Sequence, residues 1–134
     1  MTEAIPHPVD AVLQETNDYT SIKYILYDLV ISLNAQTILE TGTDVGDSTR
    51  IFSTALAKTG GKLITVDIQT VPGDWISEWS IKNIQWIRAD SKLIVIEHLL
   101  DLLFLDSDHS AFHVLAELCA LGNKVRPGGK VLLH

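Results

Sequence analysis

A chain of 134 residues, 46% of them apolar and 20% charged, has the length and make-up of one compact globular domain and lies far from the disordered regime. The formal charge is −7, and the ten Lys and Arg are scattered without a basic run, so the footprint of a nucleic-acid partner is missing. Cys119 is the sole cysteine, which excludes an internal disulfide, and no segment approaches the ~18 apolar residues of a membrane span. A cytoplasmic protein that binds neither nucleic acid nor membrane is expected.

Residues 1–18 form an N-terminal arm or lid, because Pro6 and Pro8 block an early regular helix. The remainder, 19–134, forms the domain proper. From Tyr19 to Asn34 the apolar residues Ile22, Ile25, Leu26, Leu29, Val30 and Leu33 recur at the spacing of an amphipathic helix. Thr37 to Glu40 is a short strand, and Ser48 to Lys58 is helical, stopped by Gly60-Gly61.

The alternation continues. Lys62 to Asp67 is a β-rich run, Asp74 to Ser80 a short helix, Ile84 to Arg88 a third strand and Leu93 to Leu99 another helix. Asp101 to Leu105 is a continuously apolar strand, Ala111 to Asn123 a helix, Arg126-Pro127-Gly128-Gly129 a turn, and Lys130 to Leu133 a fifth strand. Five strands joined by helix-length crossovers predict an α/β fold, a Rossmann-like parallel sheet with helices on both faces. Its ligand crevice lies at the carboxyl ends of the strands.

The residues at those ends carry the chemistry. After the first strand stands Glu40-Thr41-Gly42-Thr43-Asp44-Val45-Gly46-Asp47-Ser48-Thr49. Glycines there let backbone approach a ligand and pack tightly, and a helix N-terminus offers amides to a carboxylate. Asp67 ends the second strand, where an acid accepts ribose hydroxyls, and a solvated strand-end acid reads equally well. Asp90-Ser91 follows the third strand and also suits a helix cap. Leu105-Asp106-Ser107-Asp108-His109-Ser110 follows the fourth.

Taken in this order, with Pro127-Gly128-Gly129 before the fifth strand, these segments resemble class I S-adenosylmethionine-dependent methyltransferases of the small O-methyltransferase-like kind. The resemblance covers roughly residues 35–134. The segment from Glu40 resembles that family's first motif. It implies an S-adenosylmethionine cofactor bound by Glu40, Gly42, Thr43, Gly46, Ser48, Asp67, Asp90, Ser91 and Asp106, with Glu40 as counter-charge for a cationic ligand. The fold would lack the C-terminal strands of the full methyltransferase fold, since the chain stops at His134.

The function so implied is methyl transfer to a small molecule, at oxygen. Asp106 and His109 are the catalytic candidates; for local acid–base work Asp108 and His109 stand out, because imidazole titrates near neutral pH and a neighbouring carboxylate can orient it, although Ser107, Asp108 and Ser110 are ordinary capping types before the next helix. In metal-dependent relatives the acid at Asp106 binds a divalent ion, but the other ligands would fall after His134, so no metal is assigned.

Two alternatives stay open: a non-catalytic or truncated cofactor-binding module, and an NAD-dependent oxidoreductase, which shares the ribose-binding acid but needs a glycine fingerprint that the 42–46 segment lacks. His98 and His113 are taken as satisfied helix residues, Cys119 as a small core residue, and Trp75 and Trp79 as core or interface. An uncovered fifth strand predicts a homo-oligomer formed through it.

Overall fold

The computed structural model describes residues 5–13, 18–69 and 82–134. In chain order it holds helix α1 (Asp18–Leu33), strand β1 (Thr37–Thr41), helix α2 (Asp47–Thr59), strands β2 (Lys62–Asp67), β3 (Ile84–Arg88) and β4 (Leu100–Leu105), helix α3 (Ala111–Leu121), a 3-10 turn (Gly122–Lys124) and strand β5 (Val125–Leu133). The strands make one parallel sheet in the order β3-β2-β1-β4-β5. The chain therefore builds outward from β1 to β3 and then returns to β4 on the other flank of β1. That reversal opens a crevice between the carboxyl ends of β1 and β4.

Side chains alternate across the strands and are buried on both faces, which is why β4 is apolar at nearly every position. Ile38, Leu63, Leu102 and Phe104 pack with Leu26 and Val30 of α1 and with Phe52 and Leu56 of α2. Leu39, Ile64, Leu103 and Leu105 pack on the opposite face with Leu118 and Leu121 of α3. The expected layers, helices on both faces of a parallel sheet, are those observed.

α1 ends where Asn34 takes a left-handed conformation, φ 46°, one that Asn tolerates better than most residues. α2 ends on Gly60, φ 80°, whose N–H reaches back to the Leu56 carbonyl. The described part of the arm lies on α1: Val9 and Leu13 are buried, Lys23 Nζ donates to the carbonyls of Asp10 and Val12, and His7 Nε2 lies 2.9 Å from Asp28.

Two expected elements differ. Residues 93–99 are not a helix: a turn at 91–93 runs into irregular chain. Ile94 and Ile96 pack inward while Leu93 and Val95 are exposed, a two-residue alternation made by three consecutive β-branched side chains that disfavour helix. β5 begins at Val125 rather than Lys130, with the 126–129 turn carried as a bulge, because Leu100 pairs with Val125 while Leu102 already pairs with Lys130. Cys119 is exposed rather than in the core, since α3 turns Glu117 and Leu121 to the interior instead. The 74–80 helix, with Trp75 and Trp79, lies outside the described residues.

Candidate functional site

Hydrogen bonding continues one step beyond the strands and holds the site loops side by side. Gly42 N–H donates to Val66 O, Asp106 N–H to Thr41 O, Ala89 N–H to Asp67 O and His134 N–H to Leu105 O, at 2.7–3.1 Å. Above these ends opens a cavity of about 810 Å³ lined by residues that include Gly42, Asp67, Asp90, Ser91, Asp106 and His109, within the usual size for a small-molecule site.

Four residues named from the first motif do not line it. Glu40 is fully buried and accepts hydrogen bonds from the hydroxyls of Ser48, Thr49 and Thr65. Burial pushes its carboxyl up to about 7, against the pull of those three hydroxyls. Its alternation along β1 turns it towards α2, so the counter-charge expected of it for a cationic ligand does not face the cavity. Thr43 is likewise buried, its hydroxyl 2.7 Å from that of Thr65. Gly46 caps α2 in a left-handed conformation, its N–H donated to Thr43 O. Ser48 is spent on Glu40. These residues brace the loop from beneath.

Gly42 faces the cavity, and its need for glycine has a different origin from the one expected. A Cβ there would stand 2.2 Å from Asp106 O and 2.7 Å from Ser107 Cα. The contact that forbids a side chain is with the β4 loop backbone, not with ligand space. Asp67 offers its carboxylate to the cavity while accepting Asp44 N–H at 2.8 Å and Gln69 N–H at 2.9 Å. A carboxylate has about four acceptor positions, so capacity for two vicinal hydroxyls remains. Asp90 caps its own turn through Lys92 N–H, and Ser91 is buried at the rim.

At the β4 end, Asp106 gathers three partners. Its Oδ1 lies 3.3 Å from His109 Nε2 and 3.2 Å from His134 Nδ1, and its Oδ2 accepts the Tyr19 hydroxyl. Tyr19 and His134 stack, ring centroids 4.8 Å apart. Sequence reasoning missed both, as it missed His113, which lines the cavity. The place of His134 just past the carboxyl end of the fifth strand was the available signal; Tyr19 had none, being 87 residues from Asp106. Asp108 is held below the usual carboxylate range, chiefly by the Ser110 N–H, and Ser110 caps α3 by accepting from His113 N–H. The capping role expected of this segment and the placing of His109 at the cavity thus coexist.

The family model described as a methyltransferase domain matches residues 39–134. No curated protein matches the chain. Among solved structures, similarity extends to a candidate caffeoyl-CoA O-methyltransferase from Staphylococcus aureus (17% identity, TM-score 0.71, 93% of this chain and 60% of that one). It extends also to the O-methyltransferase TomG from Streptomyces achromogenes, involved in tomaymycin synthesis and solved with SAM (19%, 0.65, 88% and 56%). A third is the N-methyltransferase NodS from Bradyrhizobium japonicum WM9 with S-adenosyl-L-homocysteine (18%, 0.67, 90% and 63%). The chain spans no more than 63% of the length of these three proteins, and they share its fold.

Proposed function

The chain belongs to the methyltransferase-domain family, and from that premise we propose that it binds S-adenosylmethionine in the cavity above β1, β2 and β4 and transfers the methyl group to an oxygen of a small-molecule acceptor. The observation that carries the reading is the convergence of Gly42, Asp67, Ser91 and Asp106 on one cavity at the strand ends. The donor set fits the cofactor: Asp67 keeps acceptor capacity for ribose hydroxyls, and its backbone partners hold it still. Neighbours of the same fold carry SAM and S-adenosyl-L-homocysteine, which supports the same ligand here.

The cofactor, when bound, supplies an electrophilic methyl on sulfonium, so the protein's share is positioning and proton removal. A carboxylate only accepts, so His109 presents Nε2–H to Asp106, and its Nδ1 lone pair is left to take the proton of an acceptor hydroxyl. Asp106 acts by orienting, with Tyr19 donating to its other oxygen. This machinery favours oxygen over nitrogen, because a neutral amine already has its lone pair and needs no base. The O-methyltransferase descriptions of two neighbours agree with it.

Calorimetry of S-adenosylhomocysteine against NADH tests the cofactor: binding of the first and not the second is expected, and the reverse sinks the reading in favour of an oxidoreductase. A labelled-methyl assay over phenolic and alcoholic acceptors tests the reaction. His109→Ala should leave S-adenosylhomocysteine affinity intact and lower turnover by about 10²–10⁴. Unchanged turnover in that variant would remove His109 from the chemistry.

A further inference from the structure

The face of α3 that meets the sheet carries Leu118 and Leu121, as burial demands, yet between them and the cavity it also buries Glu117 completely. An ionisable group in such a place is expensive unless it is hydrogen-bonded. Glu117 is only half satisfied: Oε1 accepts the Ser107 hydroxyl at 3.0 Å and lies 3.3 Å from His113 Nε2, whereas Oε2 has no partner among the described residues. One turn back on the same helix, His113 forms part of the cavity wall.

The protons of this group can be assigned. Ser107 has a single hydroxyl hydrogen, and it goes to Glu117. The Ser107 oxygen therefore meets His113 Nε2, 2.8 Å away, with a lone pair, and Nε2 must carry the hydrogen. Ser91 Oγ stands 3.4 Å from the same nitrogen. Every polar contact of the ring is made through Nε2. In the neutral imidazole that leaves Nδ1 as a bare acceptor, and it has no partner among the described residues.

Resting on the cofactor reading above, we infer that His113 is a base-selecting residue, positioned by Glu117 and Ser107, whose Nδ1 accepts a hydrogen bond from the exocyclic amine of the cofactor's adenine. On that reading Asp67 takes the ribose, and Asp106 is already engaged by Tyr19, His109 and His134. The base is then assigned to the stretch of cavity wall formed by Ser91 and His113, whose side chains lie 3.4 Å apart. An acceptor at that wall welcomes the 6-amino group of adenine and repels the 6-oxo group of hypoxanthine, because two lone pairs would face each other and both would stay unsatisfied.

The test is calorimetric, on the chain as it stands, with S-adenosylhomocysteine and its inosine analogue. The wild type is expected to prefer the amine by roughly tenfold or more, the scale of one hydrogen bond lost with an unsatisfied group left behind. His113→Leu should bring the two ligands to within about twofold, by the same reasoning. A nitrogen-15 spectrum of the ligand-free wild type should show His113 as the Nε2–H tautomer, and Glu117→Gln should disturb that signature, which a merely structural glutamate would not. Equal affinities in the wild type, or a preference that survives in His113→Leu, would overturn the assignment while leaving the cofactor reading intact. Failure of the wild type to bind S-adenosylhomocysteine at all would overturn both. Should His113→Leu fail to fold, the wild-type ligand comparison and its spectrum still decide.

Discussion

Around the connection from β1 to α2 most polar groups turn inward: Glu40, Thr43, Ser48 and Thr49 are all buried and bonded to one another or to Thr65, with Asp44 exposed at the cavity. The loop leaving β4 lies against it, close enough for Gly42 to exclude any side chain, and turns its groups outward, with His109 at 70% exposure and Asp106 on the cavity wall. A carboxylate therefore has two uses within one site. Glu40 is shut away from water, needs a proton near neutrality and serves as a brace. Asp106 and Asp67 stay at the rim, keep free acceptor positions and can meet a ligand. The contrast teaches that the first motif builds the floor of the site and the strand ends beside it do the recognising.

The hardest blow to that division is Gly42→Val. The glycine has φ 84° and backbone atoms of the β4 loop within 2.7 Å of any Cβ, so the side chain must push floor and wall apart. A loss of at least about 3 kcal/mol of folding stability is expected, from backbone strain added to overpacking, and ligand binding falls with it. A variant that unfolds at the wild-type denaturant midpoint would show that the two loops are not locked together.

How much of this was readable in advance depends on the kind of signal. The bounds of β2 and β3 and the placing of Asp67, Ser91 and Asp106 at strand ends follow from apolar runs closed by acids, a local pattern. The role of Glu40 did not follow, because an acid at a strand end can face the crevice or the neighbouring helix, and only the packing of Ser48 and Thr49 against it shows which. Residues 93–99 depart from the expected helix because Ile94, Val95 and Ile96 are three consecutive β-branched residues, which disfavour it. Tyr19 and His134 come to Asp106 from 87 and 28 residues away, a distance no local pattern spans. The i,i+4 pair of His113 and Glu117 was visible as a spacing; that the glutamate is buried was not.

Glu40→Gln sharpens the comparison through pH. The folded-state carboxyl sits near 7, above its ordinary 4.5, so the native state holds the proton more firmly than the unfolded chain. Its contribution is complete below pH ~4.5 and is lost as pH rises through about 7, by on the order of 3 kcal/mol. Glutamine keeps the shape and cannot ionise, and Ser48 can rotate to accept from its amide. Relative to the wild type, the variant should gain stability steadily between pH 5 and 8 in parallel denaturant titrations. Two curves that stay a constant distance apart would return Glu40 to the ligand-facing, counter-charge role first expected of it.

Asp67→Ala strikes the recognising side, and with it the bond that Asp67 takes from Asp44 N–H of the β1 loop. It should weaken S-adenosylhomocysteine by about 1–3 kcal/mol, the scale of hydrogen bonds to a charged partner, while the Glu40 carboxyl stays raised, because burial is the largest cause and the Asp67 charge the last. A calorimetric change within error would move the ribose elsewhere in the cavity.

The smallest effect expected concerns the outer flank of the wall. β5 pairs with β4 on one side and forms the edge of the sheet among the described residues. Its last turn of chain exposes Val131 and Leu133, with Lys130 as the charged residue there. An edge of that kind presents unpaired amides and carbonyls beside apolar side chains and invites a second chain to pair with it. The described part of the arm is bonded to α1 through Lys23, Tyr24 and Asp28, so its hydrogen bonds are committed to that helix and not to β5. A weak, concentration-dependent dimer is therefore expected in light scattering. Val131→Lys should reduce it, since a charge pointing from an edge strand opposes pairing, with no change in the affinity for S-adenosylhomocysteine. A strict monomer at every concentration would reject association through β5, and a dimer indifferent to Val131→Lys would place the interface on another face.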